Sequence, residues 1–225
     1  MQAAALDRGS LALVQSLQAL SLVFALPLGV RLTGQRVGRR SIIGACATVV
    51  GIIMLVELGQ PQGGISHPRA AVWWISGLII LALMLALVLL ARRRRGPVPA
   101  ALFAVAAGLG FAFQAAVTKV FVTELGRGLG AVLSSWPVYM VIVAEVAGFT
   151  LQQSALKTGF LAPAMAALNA ATLAVSVILG VAVFQESISA GHGRLAFALS
   201  GLVIAVVGVV TLASVAPRRQ TSSPR

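Results

Sequence analysis

Acidic residues are scarce, with five Asp and Glu against 17 Lys and Arg in 225 residues. Tyrosine and cysteine occur once each and histidine twice. A lone cysteine, Cys46, excludes an internal disulfide and any thiol-held metal; it lies in an apolar stretch and reads as packing. His67 and His192 fall in separate connecting segments with no second ligand at metal spacing. No Ser-His-Asp set and no pair of intramembrane aspartates can be assembled. The expectation is therefore a non-enzyme with no metal and no cofactor. Polar surface is the other shortage: 59% of the residues are hydrophobic and 10% are charged, with a mean hydropathy of +0.98. A water-soluble globule cannot be covered from that stock, so the chain belongs in a bilayer.

Apolar runs approach the roughly 20 residues that cross about 30 Å of hydrocarbon. Seven are present, Gly9 to Val30, Ser41 to Val56, Ala71 to Ala91, Val98 to Val122, Leu129 to Gln153, Phe160 to Phe184 and Leu195 to Ala213. The first follows eight residues without a basic n-region or a small-residue cleavage site, and is expected to remain as a span. The basic residues sort by side. Arg31, Arg36, Arg39, Arg40, Arg92 to Arg95, Lys157, Arg218, Arg219 and Arg225 fall on one face, whereas Arg8, Arg69, Lys119, Arg127 and Arg194 fall on the other. Short basic loops stay in the cytoplasm, which predicts an external N-terminus and a cytoplasmic C-terminus. This distribution accounts for the net charge of +12. Nucleic acid is not an expected partner, because no basic patch lies outside a helix-flanking segment.

The chain resembles itself at a shift of 150 residues. Gln2, Ala5, Leu6, Gly9, Leu11, Ala12 and Gln35 meet Gln152, Ala155, Leu156, Gly159, Leu161, Ala162 and Gln185. After a seven-residue insertion in the second copy, Gly44, Val49, Val50, Gly51 and Leu55 meet Gly201, Val206, Val207, Gly208 and Leu212. The charge sidedness makes the two copies cross in opposite directions, the arrangement of inverted-repeat carriers, whose substrate sites lie at the repeat interface. Three spans precede the second copy and none precedes the first. The first repeat is expected to lack its opening three helices, through a shortened gene or a start placed late.

The stretch "GFLAPAMAALNAATLAVSVILGVAVFQES" with "LAFALSGLVIAVVGVVTLA", and its counterpart "GSLALVQSLQALSLVFALPLGVRL" with "SIIGACATVVGIIMLV", resemble the closing helix pairs of each half in the drug/metabolite transporter superfamily, EamA-like branch. The family pattern Gly-x-x-x-Phe-x-Glu is matched by Gly180, Phe184 and Glu186. Arg36 stands where the first copy of that motif carries Glu. The resemblance implies an all-α integral membrane protein: a polytopic bundle of about seven transmembrane helices, corresponding to helices 4 to 10 of a ten-helix carrier. It further implies alternating-access transport of small metabolites or drugs across the cytoplasmic membrane. A non-transporting subunit or remnant, and a NIPA-like magnesium carrier, are the alternatives. On this reading residues 1–58 are the remnant of the first repeat, 59–70 an external linker, 71–216 the second repeat and 217–225 a cytoplasmic tail. The expected partners are the bilayer, a small-molecule substrate, and a second copy of the chain or a complementing half-transporter.

Ionisable groups at membrane depth are costly, at about 2.5 to 3.5 kcal/mol on insertion scales, and draw functional attention. Glu145 sits past the middle of the fifth span, with Gly148 and Gln152 on its face. It is either a proton or cation site or a carboxyl group hydrogen-bonded to a neighbouring helix. Lys119 lies one turn from the outer end of the fourth span, where its stem reaches the interface and snorkelling is the simpler reading. A Lys119 to Glu145 pair is not expected, because their depths differ by ~20 Å. Gln114 and Thr118, and Asn169, Thr172 and Ser176, form polar stripes that face a substrate path or neighbouring helices. Gly44 with Gly51, and Gly201 with Gly208, are seven apart and mark close helix packing. Pro137 and Pro163 mark points where a helical ladder could be interrupted, Pro163 lying close enough to the start of its run to be an ordinary first-turn proline instead. Trp136 and Tyr139 read as core aromatics on the outer side of Glu145.

Overall fold

The computed structural model describes residues 11, 14, 39–55, 65, 68–95, 98–125, 134–158, 161–186 and 192–214. These residues form six helices and no strand: α1 (Arg39–Ile53), α2 (Ala70–Arg92), α3 (Val98–Leu125), α4 (Trp136–Lys157), α5 (Leu161–Ala182) and α6 (His192–Ser214). They coincide with the second to seventh apolar runs. Only Leu11 and Val14 are described from the first run, both helical and buried. All of α2, and Val98–Val122 of α3, are long and apolar enough to cross a membrane.

One expectation about backbone breaks changes, and for Pro163 the first-turn alternative holds. Pro137 occupies the first turn of α4, just after Ser135 as N-cap, where the missing N–H has no intrahelical partner to lose. Pro163 is likewise the third residue of α5. Neither interrupts a ladder. The residues 129–133, expected to open the fifth span, lie outside the described residues.

Helix α3 is the hub, packing against α2, α4 and α5; α5 continues to α6, and α6 lies along α1. Its composition explains this place. Ala100, Ala104, Ala106, Ala107, Ala112, Ala115 and Ala116 are fully buried, so small side chains let neighbours approach on several sides. At Gly108 a Cβ would stand 2.6 Å from the Leu168 carbonyl oxygen, so α3 and α5 meet there backbone to backbone. By contrast, Trp74, Ile75, Leu78, Ile79, Leu81 and Leu85 leave most of α2 exposed. An apolar outer face of this kind is suited to lipid.

The structure places all four predicted packing glycines at the α1–α6 contact. A Cβ on Gly51 would strike the Ala205 backbone nitrogen and the Gly201 carbonyl. One on Gly208 would strike the Thr48 nitrogen at 2.5 Å and the Gly44 carbonyl at 2.8 Å. Residues 44, 48 and 51 shifted by 157 become 201, 205 and 208, so the two collisions are the same collision. Each glycine meets the partner helix at the residues equivalent to those that meet its own counterpart, as a two-fold axis requires of antiparallel helices. Ile52, Leu55, Leu173, Val177 and Ala205 close a small apolar core beside this joint.

Candidate functional site

The segment leaving α5 makes the site. Val183 N–H donates to Leu179 O at 2.9 Å, and Glu186 N–H reaches back to Gly180 O at 2.9 Å, closing the helix end. The residue between them and the next segment, Gln185, has φ 52°, a left-handed position usually taken by glycine, at a strain of about 1 kcal/mol or more. The Phe184 carbonyl accepts from Ile65 N–H at 2.8 Å, fastening the α1–α2 connection to the same turn. The Gly180, Phe184, Glu186 pattern is therefore a helix stop that aims one ring and one carboxylate.

The carboxylate aims at Lys119. Its Nζ donates to Glu186 Oε1 at 2.7 Å, with the residues 8% and 3% exposed. Leu11 N–H donates to the same oxygen at 2.5 Å, and Lys119 Nζ also lies 4.6 Å from the centre of the Phe184 ring. Three separate parts of the chain thus converge on one carboxylate. Lys119 does not snorkel: it is buried, because an opposite charge and a ring face compensate its desolvation. From the sequence, Lys119 is expected to snorkel and not to pair with Glu145, and Glu186 is noted only as the end of the Gly-x-x-x-Phe-x-Glu pattern. The signal that could have joined them was the position of both at the same end of the bundle, with opposite sign.

Trp73, near the start of α2, stands edge-on to three rings: Phe113 at 5.8 Å, Trp136 at 5.6 Å and Phe184 at 5.9 Å between centroids. Edge-to-face pairs of this spacing contribute about 0.5 to 1.5 kcal/mol each beyond their buried area. Trp73, Phe113 and Trp136 of this cluster line a groove of about 800 Å³ between α2 and α4, floored by α3, toward the end where α2 and α4 begin. Met84, Gly110, Met140, Ala144 and Ala147 line its length, and none of its described lining residues is charged. Trp136 and Tyr139 are not core aromatics; they are 48% and 61% exposed.

The predicted path residues do not converge on this groove. Glu145 is exposed on α4 beside Val146, while Gly148, one turn on, is buried against the Phe111 ring. Gln114 Nε2 donates to Thr118 Oγ1 at 3.1 Å, and Thr118 returns its hydroxyl to the Gln114 carbonyl, so this stripe satisfies itself. Gln152 on α4 reaches the Met165 sulfur on α5 at 4.0 Å, while Asn169 donates to the Met165 carbonyl within its own helix at 2.6 Å. Thr172 donates to Leu168 O at 2.9 Å on α5 and lies 3.4 Å from Gly108 O on α3. Ser176 is fully buried, and its hydroxyl has no hydrogen-bond partner among the described residues. Cys46, expected in packing, is exposed. Among the described residues no group of three or more His, Cys, Asp or Glu could hold a metal ion.

No family model matches the chain. No solved structure matches it either. An uncharacterized protein of Corynebacterium glutamicum is 30% identical over 187 residues, which are 83% of this chain and 65% of that protein. The chain thus spans 65% of the length of that relative.

Chemically, the arrangement is a neutralised ion pair behind an aromatic wall, beside an apolar groove. It ties α3 to the turn after α5.

Proposed function

We propose that the chain is a multi-pass membrane protein of the cytoplasmic membrane, built as an incomplete inverted repeat of the EamA-like drug/metabolite transporter kind, and that it carries small molecules by alternating access. The seven apolar runs supply the spans, and the basic loops supply an orientation with the C-terminus in the cytoplasm. The observation that carries the reading is the α1–α6 joint, where Gly51 against Ala205 and Gly201 repeats as Gly208 against Thr48 and Gly44. A two-fold contact between antiparallel helices of one chain is what an inverted repeat leaves at its axis, and such repeats rock against each other around a central site.

The test needs no known substrate. In a Cys46→Ser background, Ala147→Cys places one thiol at the deep end of the α4 wall of the groove, about halfway along α4. A charged, membrane-impermeant thiol reagent is applied to right-side-out and to inverted vesicles. A carrier exposes that position to each side in turn, so both preparations react. Reaction from one side alone, or from neither, would favour a non-transporting membrane subunit instead.

A further inference from the structure

We propose that Lys119 and Glu186 form a latch that holds the aromatic end of the groove shut. This rests on the carrier reading and names the contact that must break at that end. One oxygen of Glu186 takes both Lys119 of α3 and the N–H of Leu11 in the first apolar run. The same turn presents Phe184, whose ring lies under the Lys119 ammonium and edge-on to Trp73. Trp73 lines the groove and contacts two more of its walls, Phe113 and Trp136.

The chain of contacts is short and closed. Glu186 and Phe184 are two residues apart on a turn fixed to Gly180 O, and both hold the Lys119 ammonium, so breaking the ion pair removes the anchor that keeps the ammonium over the ring. Once the ring withdraws, Trp73 loses one of its three aromatic neighbours, and the groove mouth is free to widen. A buried pair suits a two-state closure. Either both charges stay together in the dry arrangement, or both separate into water; half-separated charges in an apolar surround are the costly state between. Gln185, held left-handed between the two functional residues, is strained in the closed arrangement and free to relax in the open one.

The reporter is Gly77→Cys in the Cys46→Ser background. Gly77 lines the groove, and a Cβ there stands 3.5 Å from the Phe113 ring, an ordinary contact, so the position accepts a side chain. The rate of reaction with an impermeant thiol reagent is measured from each side of membrane vesicles. With the latch intact, reaction from the Lys119 side is slow. Glu186→Gln raises it about tenfold or more from that side alone, as release of a strongly populated closed state does. The exchange Lys119→Glu with Glu186→Lys returns it toward the slow rate. Phe184→Ala, which leaves no charge unpaired, gives the same rise and covers the case in which Glu186→Gln fails to insert. An unchanged rate in both variants, or an equal rise from both sides, overturns the latch. The carrier reading fails separately, through one-sided labelling at Ala147→Cys.

Discussion

The molecule has two tightly packed regions built on opposite principles. At the α1–α6 joint, glycines bring backbone against backbone without charge, and a Cβ on Gly51, Gly201 or Gly208 would collide with the main chain of the facing helix. At the Lys119 end, large rings and a buried ion pair meet chiefly through side chains. A backbone contact cannot be adjusted by rotamer changes, whereas a side-chain contact can be made and broken. The first region is suited to be a fixed axis and the second a closure.

The comparison can be broken most severely at the axis. Gly51→Leu places four carbons where the Ala205 and Gly201 backbones already stand, and overpacking against main chain should exceed the usual cost of about 1 to 3 kcal/mol. Loss of folded protein in detergent, seen as early elution and a collapsed melting temperature, is the expected result. Gly208→Leu, its repeat counterpart, should do the same to a similar degree.

Next in size is removal of one partner of the ion pair. Lys119→Ala leaves the Glu186 carboxylate buried beside Leu11 N–H, and such uncompensated charges cost about 3 to 5 kcal/mol. The double variant Lys119→Met with Glu186→Met should recover most of the melting temperature, since a well-packed apolar pair is often as stable as a buried ionic one. Trp73→Ala removes a side chain that is 7% exposed and touches three rings, and should cost about 3 to 5 kcal/mol by the same assay.

The smallest effects sharpen the distinction. Thr48→Ala makes the α1 residue identical to its counterpart Ala205. It removes the hydroxyl bond to Gly44 O at 2.9 Å and one buried methyl group, so stability should fall by about 1 to 2 kcal/mol. Glu145→Gln, on an exposed face, should leave the melting temperature within the ordinary range of surface changes, about 0.5 kcal/mol. Loss of two-sided labelling at Ala147→Cys in that variant, with stability intact, would mark Glu145 as a coupling group.

Helix number and type were legible for α1 to α6, because a long apolar run in lipid has no alternative to the helix. The glycine spacing was legible for the same reason that repeats are: seven residues return to one helical face, and the 157-residue shift relates the two faces. The partner of each face was not legible, since contact across helices depends on three-dimensional arrangement. Lys119 was misread because snorkelling was weighed from depth alone, while its partner lies 67 residues away beyond the end of α5. Gln185 gave no warning of a left-handed φ, a conformation that glycine or asparagine would have signalled. Pro137 was read as a break because the start of α4 had been placed seven residues early.

The account stands or falls on helices of opposite sense meeting in one membrane, and sidedness of labelling measures that directly. Ile65, bonded to the Phe184 carbonyl at the Lys119 end, and Arg94, just beyond the other end of α2, are separated by a helix of 23 residues, about 35 Å. In intact cells carrying Cys46→Ser with either Ile65→Cys or Arg94→Cys, an impermeant maleimide should label the first variant and spare the second until the membrane is opened. Labelling of both from outside, or of the second alone, would contradict the orientation and the inverted repeat built on it.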